Sequence, residues 1–253
     1  MPRRILTHPL VLAAALATLA ACRAPLPPPT VQPQRYTIGE QVEPGAAGAE
    51  VEELIAPYRA QLSTQMNRQL ATLATPLTKA QPESSLGNWM TDLLEDASRE
   101  LFPDHEIAFA TQNYGGLRVG EIGAGPLLVS EIYELMPFDN ELVLVRLTGA
   151  ELADFMAHIV AKGGWPVSRS IRVERAAGGS LTIELAGRPV DPDGTYYVST
   201  NDYVAGGGSD SAMLIGKPVL SSGRLVRDLL IDYAGRSQQP ISVTADGSRL
   251  NLR

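Results

Sequence analysis

Apolar residues recur at helical spacing in three places. Val51, Leu54, Ile55, Tyr58, Leu62, Met66, Leu70 and Leu73 are three or four apart, which predicts a helix over 49–73 that Pro57 breaks or kinks near its start. Leu86, Trp89, Met90, Leu93, Leu94 and Ala97 mark a second helix from about Ser85 to Leu101, with Ser84 or Ser85 as its N-cap. Thr148-Gly-Ala-Glu151 is a capping box that opens a third, carrying Leu152, Phe155, Met156 and Ile159. A last helix is expected at Leu225–Tyr233, and a short one at Glu131–Leu135.

Strand patterns lie between them. Glu106–Thr111 is a short apolar run, and Glu141–Leu147 is a longer one whose Leu142-Val-Leu-Val145 core predicts burial on both faces. Ser170–Glu174, Leu181–Leu185 and Tyr196–Thr200 alternate between Gly and Pro turns. Val204–Asp210 is a Gly-rich loop, and Ile241–Thr244 and Leu250–Leu252 are closing strands. Helices and strands interleave, but several strands follow one another directly. The expected fold is therefore α+β (mixed α/β), with mixed sheets flanked by helices in one domain over 49–253.

The first residues read as an address. Arg3 and Arg4 precede an apolar run from Pro9 to Ala21, too short to span a bilayer but of signal-peptide length. It ends Leu19-Ala-Ala-Cys22, which resembles the bacterial lipobox, in which the cysteine is lipidated after cleavage. The alternative is an ordinary signal peptide with an incidental cysteine. Residues 22–48 include a Pro-rich stretch of the kind that forms an extended tether. The expected place is the bacterial cell envelope, lipid-anchored through Cys22 and facing the periplasm or on the outer membrane.

Composition narrows the chemistry. The 253 residues carry 21 Lys and Arg against 28 Asp and Glu, a net charge of −7, with no basic stripe, so nucleic acid is not an expected partner. Loss of residues 1–21 removes two arginines, giving −7 − 2 = −9. The single cysteine allows no intrachain disulfide and no Cys-based zinc site. Three histidines are too few for most dinuclear metal sites. Ser209 lacks a Gly-x-Ser-x-Gly setting, so serine hydrolysis is not expected.

Four segments together resemble one family, the C-terminal domain of 5′-nucleotidases. They are Glu83-Ser-Ser-Leu-Gly-Asn-Trp-Met-Thr-Asp92; Ile107-Ala-Phe-Ala-Thr-Gln-Asn113-Tyr-Gly-Gly-Leu-Arg118; Pro137-Phe138-Asp-Asn140 with Leu147-Thr-Gly-Ala-Glu-Leu152; and Tyr197-Val-Ser-Thr-Asn-Asp-Tyr203-Val-Ala-Gly-Gly-Gly208-Ser-Asp210. The resemblance implies a nucleotide-binding domain. In that family an N-terminal metallophosphatase domain with two metal ions does the chemistry, and the C-terminal domain holds the substrate. Here His105 and His158 stand in no Asp-x-His or His-x-His pattern. No catalytic residue, metal ligand or cofactor is therefore assigned to this chain, and divalent metals would belong to a separate metallophosphatase partner.

By the same resemblance Phe138 and Tyr203 stack a base, and Asn113 and Arg118 contact base, sugar or phosphate. Without it, the two rings read as core or rim aromatics, Asn113 as a turn residue and Arg118 as half of a surface ion pair. Gly116 would permit close backbone approach, as in any tight loop. Two positions depart from the family pattern: Pro82 stands where an Arg precedes the Glu, and Ser209 where an Asp contacts the ribose, with Asp210 one place later. Either Asp210 shifts in or the nucleotide site is degraded. The expected role is the substrate-recognition half of a 5′-nucleotidase-type phosphohydrolase; a non-catalytic nucleoside-binding module or a structural lipoprotein is the alternative.

Overall fold

The computed structural model describes residues 46–252. The chain divides into two units, Met1–Glu52 and Glu53–Arg253. The expected signal peptide, Cys22 and most of the expected tether lie outside the described residues. All the elements below belong to the second unit, apart from the helix α1 (Ala46–Met66), which starts in the first.

The order in the chain is α1, β1 (Gln69–Leu73), β2 (Leu77–Thr78), α2 (Ser85–Leu101), β3 (Ile107–Ala110), β4 (Glu121–Ile122), β5 (Gly125–Leu128), α3 (Val129–Leu135), β6 (Glu141–Thr148) and α4 (Gly149–Ala161). Then come β7 (Ile171–Arg175), β8 (Leu181–Leu185), β9 (Arg188–Pro189), β10 (Thr195–Asn201), α5 (Asp202–Ala205), β11 (Val219–Leu225), α6 (Val226–Ala234) and β12 (Leu250–Asn251). The central sheet has the order β11-β6-β10-β3, with β10 antiparallel to β6 but parallel to β3. A second sheet has the order β12-β7-β8-β9, and β1–β5 and β2–β4 are two-stranded. This is the mixed α/β architecture expected from the sequence.

β6 explains the layering. Its side chains alternate across the sheet, so Val143, Val145 and Leu147 join one apolar cluster with Leu152, Phe155, Met156 and Ile159 of α4. Leu142 joins another, formed with α2 and α6. Leu144 packs with Phe102 and Ile107. Both faces are covered, which is why the strand reads as an unbroken apolar run. Helix α2 is capped by Ser84, whose Oγ accepts from the Gly87 N–H at 3.0 Å, and buries Leu86, Trp89, Met90, Leu94 and Ala97. Glu95 on α2 is buried; burial alone would raise its carboxyl, but hydrogen bonds from Ser168, Ser170 and Arg99 outweigh that and hold it below the ordinary carboxylate range.

Several expectations are corrected. Helix α1 ends at Met66, and residues 69–73 form β1, because Leu70, Ala71 and Leu73 are buried by antiparallel pairing with β5. Pro57 lies inside α1 and does not end it; the ring removes one N–H donor and the helix continues. Residues 204–210 are not simply a loop, since Asn201 caps the short helix α5. Residues 241–244 are not a strand: Ile241 makes one bridge to Leu73. β11, which the apolar pattern does not announce, pairs with β6 although its residues are mostly exposed. Among the described residues no helix is long and apolar enough to cross a membrane.

The capping box at α4 is realised: Thr148 Oγ1 accepts from the Glu151 N–H at 3.2 Å, and Glu151 Oε2 accepts from the Thr148 N–H at 2.8 Å. Gly149 follows the cap, and a Cβ there would lie 1.9 Å from the Asp191 carbonyl oxygen. Helix propensity alone favours Ala over Gly by about 1 kcal/mol. Gly149→Ala is instead expected to destabilise the protein by about 1–3 kcal/mol, because backbone must move to admit the methyl group. Urea unfolding of the two proteins decides the sign.

Candidate functional site

The site is built at the carboxyl ends of two neighbouring parallel strands. β3 pairs with β10 through Ser199 opposite Ala110, and the Thr111 N–H donates to the Ser199 carbonyl at 2.9 Å. Both chains leave the sheet at about the same level, which sets Gln112 and Asn113 beside Asn201. Asn201 Nδ2 donates to Gln112 Oε1 at 2.6 Å and to Asn113 Oδ1 at 3.3 Å. Its own Oδ1 accepts from the Val204 N–H at 2.7 Å and so starts α5. Asn113 Nδ2 donates to Ser209 Oγ at 3.0 Å. Gln112, Asn113 and Asn201 are all buried, so this polar network sits in a low-dielectric setting where unpaired groups are costly. Gly116 makes room for it: a Cβ there would stand 2.9 Å from Asn113 Oδ1.

Two aromatic side chains project from the loops around this floor. Tyr203, on α5, is 51% exposed, and its hydroxyl accepts from the Ser209 N–H at 3.1 Å. Its ring lies over Gly208, where a Cβ would be 2.5 Å from ring carbons, so only glycine admits this packing. Phe138, between α3 and β6, is 38% exposed. Its loop is tied to α5 by Asn140 Nδ2 donating to Asp202 Oδ1 at 2.9 Å, and Asp202 Oδ1 also accepts from the Tyr203 N–H at 2.8 Å. Arg227 of α6 holds the same loop from behind, donating to the Phe138 carbonyl at 3.3 Å and to Asp139 Oδ1 at 2.7 Å. Among the described residues neither ring pairs with another aromatic ring, so each keeps a face for something else.

Positive charge lies alongside. The Arg118 guanidinium is 5.9 Å from the Phe138 ring centroid and donates to the Gly115 carbonyl at 3.2 Å. Lys79 is a cation that no sequence motif picks out. Its ammonium sits 4.0 Å over the Tyr114 ring and donates to the Leu117 carbonyl at 2.7 Å. Burial, and then the charge of Arg118, push the Lys79 pKa below the ordinary lysine value. Lys79 thus feels the positive charge of Arg118.

Asp210 stands apart from the other sequence-predicted residues. Its carboxylate meets Lys162 Nζ at 2.6 Å and is held below the usual range by that hydrogen bond and charge. Ser209 faces Asn113 instead, with a left-handed backbone at φ 53°, and its carbonyl lies 3.1 Å from His158 Nε2. Pro82 packs against the backbone of Gly164. The structure therefore groups Asn113, Gly116, Arg118, Phe138, Tyr203 and Ser209, adds Lys79, Gln112, Asn201 and Arg227, and turns the Asp210 carboxylate outward. Nothing in the sequence marks Lys79, a lone lysine in a loop. Among the described residues no group of three or more His, Cys, Asp and Glu could hold a metal ion. A separate cleft of about 590 Å³ opens at the other ends of β3 and β10, between Tyr197 and Arg188.

Residues 64–215, more than half of the chain, match the family model for the 5′-nucleotidase C-terminal domain. The chain belongs to this family. It is 26% identical over 200 residues to Protein UshA of Escherichia coli K12, covering 70% of this chain and 36% of that protein. It is 31% identical over 142 residues to a probable 5′-nucleotidase of Treponema pallidum, covering 49% and 24%. The crystal structure of a 5′-nucleotidase precursor from Thermus thermophilus superposes with a TM-score of 0.68 at 25% identity, over 81% of this chain and 43% of the other. The chain thus spans less than half the length of these relatives.

Asn113 is the joint of the buried network, since it serves Ser209 and Asn201 at once. Asn113→Ala is expected to cost about 1–3 kcal/mol of stability, the penalty of stranding buried polar partners. Guanidinium unfolding measures it; a neutral substitution would mean that these two hydrogen bonds are not held in solution.

Proposed function

We propose that this domain is the substrate-recognition part of a 5′-nucleotidase-type phosphohydrolase and holds a nucleotide or nucleoside. The base would stack on Phe138 and Tyr203, while Asn113 offers hydrogen bonds and Arg118 and Lys79 face the phosphate. The observation that carries this reading is that two half-exposed rings stand on segments tied together through Asn140 and Asp202, with the Arg118 guanidinium 5.9 Å from the Phe138 ring centroid. Aromatic faces bind bases of any identity, and a guanidinium favours an anionic group. Membership of the family supports it.

In this account the domain's residues bind and orient the substrate, and the groups that break the phosphoester come from elsewhere. In this reading a separate metallophosphatase polypeptide docks against the domain and brings the divalent metals. Recognition would take place in the cell envelope, with the domain held to a membrane by lipid on Cys22 and raised on the Pro-rich tether.

Titration of the full chain with AMP and adenosine by calorimetry is expected to show binding of both. Phe138→Ala or Tyr203→Ala should weaken each by about 1–3 kcal/mol, the worth of one base–ring stack. Lys79→Met should weaken AMP and leave adenosine unchanged. Absence of heat with either ligand up to millimolar concentration would favour a structural role. The anchor is checked independently: Cys22→Ser is expected to abolish fatty-acid labelling and release the protein from the membrane fraction, whereas unchanged sedimentation would remove the lipid from the account.

A further inference from the structure

We propose that the cleft at the other ends of β3 and β10 is a second binding site, for a small carboxylate carried on a flat ring. It does not depend on the nucleotide reading above. The end strands of the two four-stranded sheets both line it, through Ile107 and Ala108 of β3 and Arg188 and Pro189 of β9. Its volume of about 590 Å³ falls within the range of small-molecule pockets.

The fold leaves hydrogen-bond donors around this cleft. Arg99 of α2 lines it with part of its guanidinium engaged: Nε and Nη2 donate to Oε1 of the buried Glu95 at 3.2 and 2.6 Å. That grip fixes the plane of the group, while Nη1 has no hydrogen-bond partner among the described residues. His105 packs edge-on against Tyr197 with ring centroids 4.5 Å apart. Neither its imidazole nor the Tyr197 hydroxyl is hydrogen-bonded among the described residues. Arg188 meets Glu106 at 3.9 Å, between side chains 78% and 88% exposed, and a pair so open to water yields readily to another acceptor.

A guanidinium only donates, and a phenol and an imidazole can donate as well, so this set calls for an acceptor. A carboxylate suits it, because its two oxygens match the fork of an arginine. The Tyr197 and His105 rings offer an apolar wall for the ligand's own ring. The remaining charges set how much negative charge the cleft tolerates. Asp104 and Glu106 also line it, both exposed, and Glu95 already offsets part of the charge of Arg99. A dianion such as a phosphate ester meets about twice the repulsion from these groups that a single negative charge meets. The lining therefore favours a carboxylate over a phosphate.

The test titrates the full chain with benzoate and follows the His105 ring by proton NMR, its signal assigned with His105→Gln among the three histidines of the chain. A saturable shift with a dissociation constant of about 1–10 mM is expected, the strength open to a ligand of about nine heavy atoms. Arg188→Ala, and Tyr197→Phe, which keeps the ring, should each weaken binding by about threefold or more and leave the His158 signal in place. No saturation up to about 50 mM overturns the site. Benzyl alcohol binding as tightly as benzoate overturns the need for an anion, and phenyl phosphate binding more tightly than benzoate overturns the preference for a single charge. Benzoate binding that neither substitution weakens overturns the assignment of these donors to the ligand.

Discussion

One strand pairing sets up the rest of this molecule: β3 lies parallel to β10 in the interior of the fold, with Phe109 opposite Val198 and Ala110 opposite Ser199. Parallel neighbours leave a sheet on the same side, so the segments after them are brought together. That places Gln112 and Asn113 within hydrogen-bonding reach of Asn201. An antiparallel pairing would have put those amides at opposite ends of the sheet. The pairing is held by the apolar clusters on the two sides of β6, so the site depends on core packing remote from it.

Above this floor the structure becomes progressively more open. The amides are buried and mutually bonded, Ser209 is half-buried, and the Phe138 and Tyr203 rings reach solvent. The gradient fits the recognition role proposed above, in which rigid groups hold the geometry and exposed aromatic faces meet the ligand. The rings are nevertheless constrained. Arg227 grips the loop of Phe138, Asn140 reaches across to Asp202, and Tyr203 is locked over Gly208. Such restraint lowers the ordering cost of binding, because the loops need not be fixed when a ligand arrives.

Much of the fold was legible along the chain, for identifiable reasons. Helices α2 and α4 combine local caps with a periodic apolar face, and both signals lie within one segment. β6 is read from its composition, since burial on both sides demands apolar residues throughout. β1 and β11 were not legible, because what makes each a strand is its distant partner. The apolar spacing of α1 runs on through Leu70 and Leu73, yet those two belong to a strand paired with β5. In α1 itself Leu54, Tyr58 and Leu62 remain exposed, so periodicity there reports helix formation and not burial against the core.

By itself the sequence determined the residue types at the site and their order: two aromatic residues, an asparagine, an arginine and a glycine-rich turn, in motifs specific enough to place the chain in its family. Local chemistry accounts for this, because caps, turns and strand composition depend on neighbours in the chain. Only the tertiary structure decided how the polar side chains pair. It aimed Ser209 at Asn113, drew Asp210 to Lys162 and set Lys79 on the Leu117 carbonyl. Those pairings join residues far apart in sequence. Their energies depend on burial and on distance, which exist only once the sheet has brought the segments together.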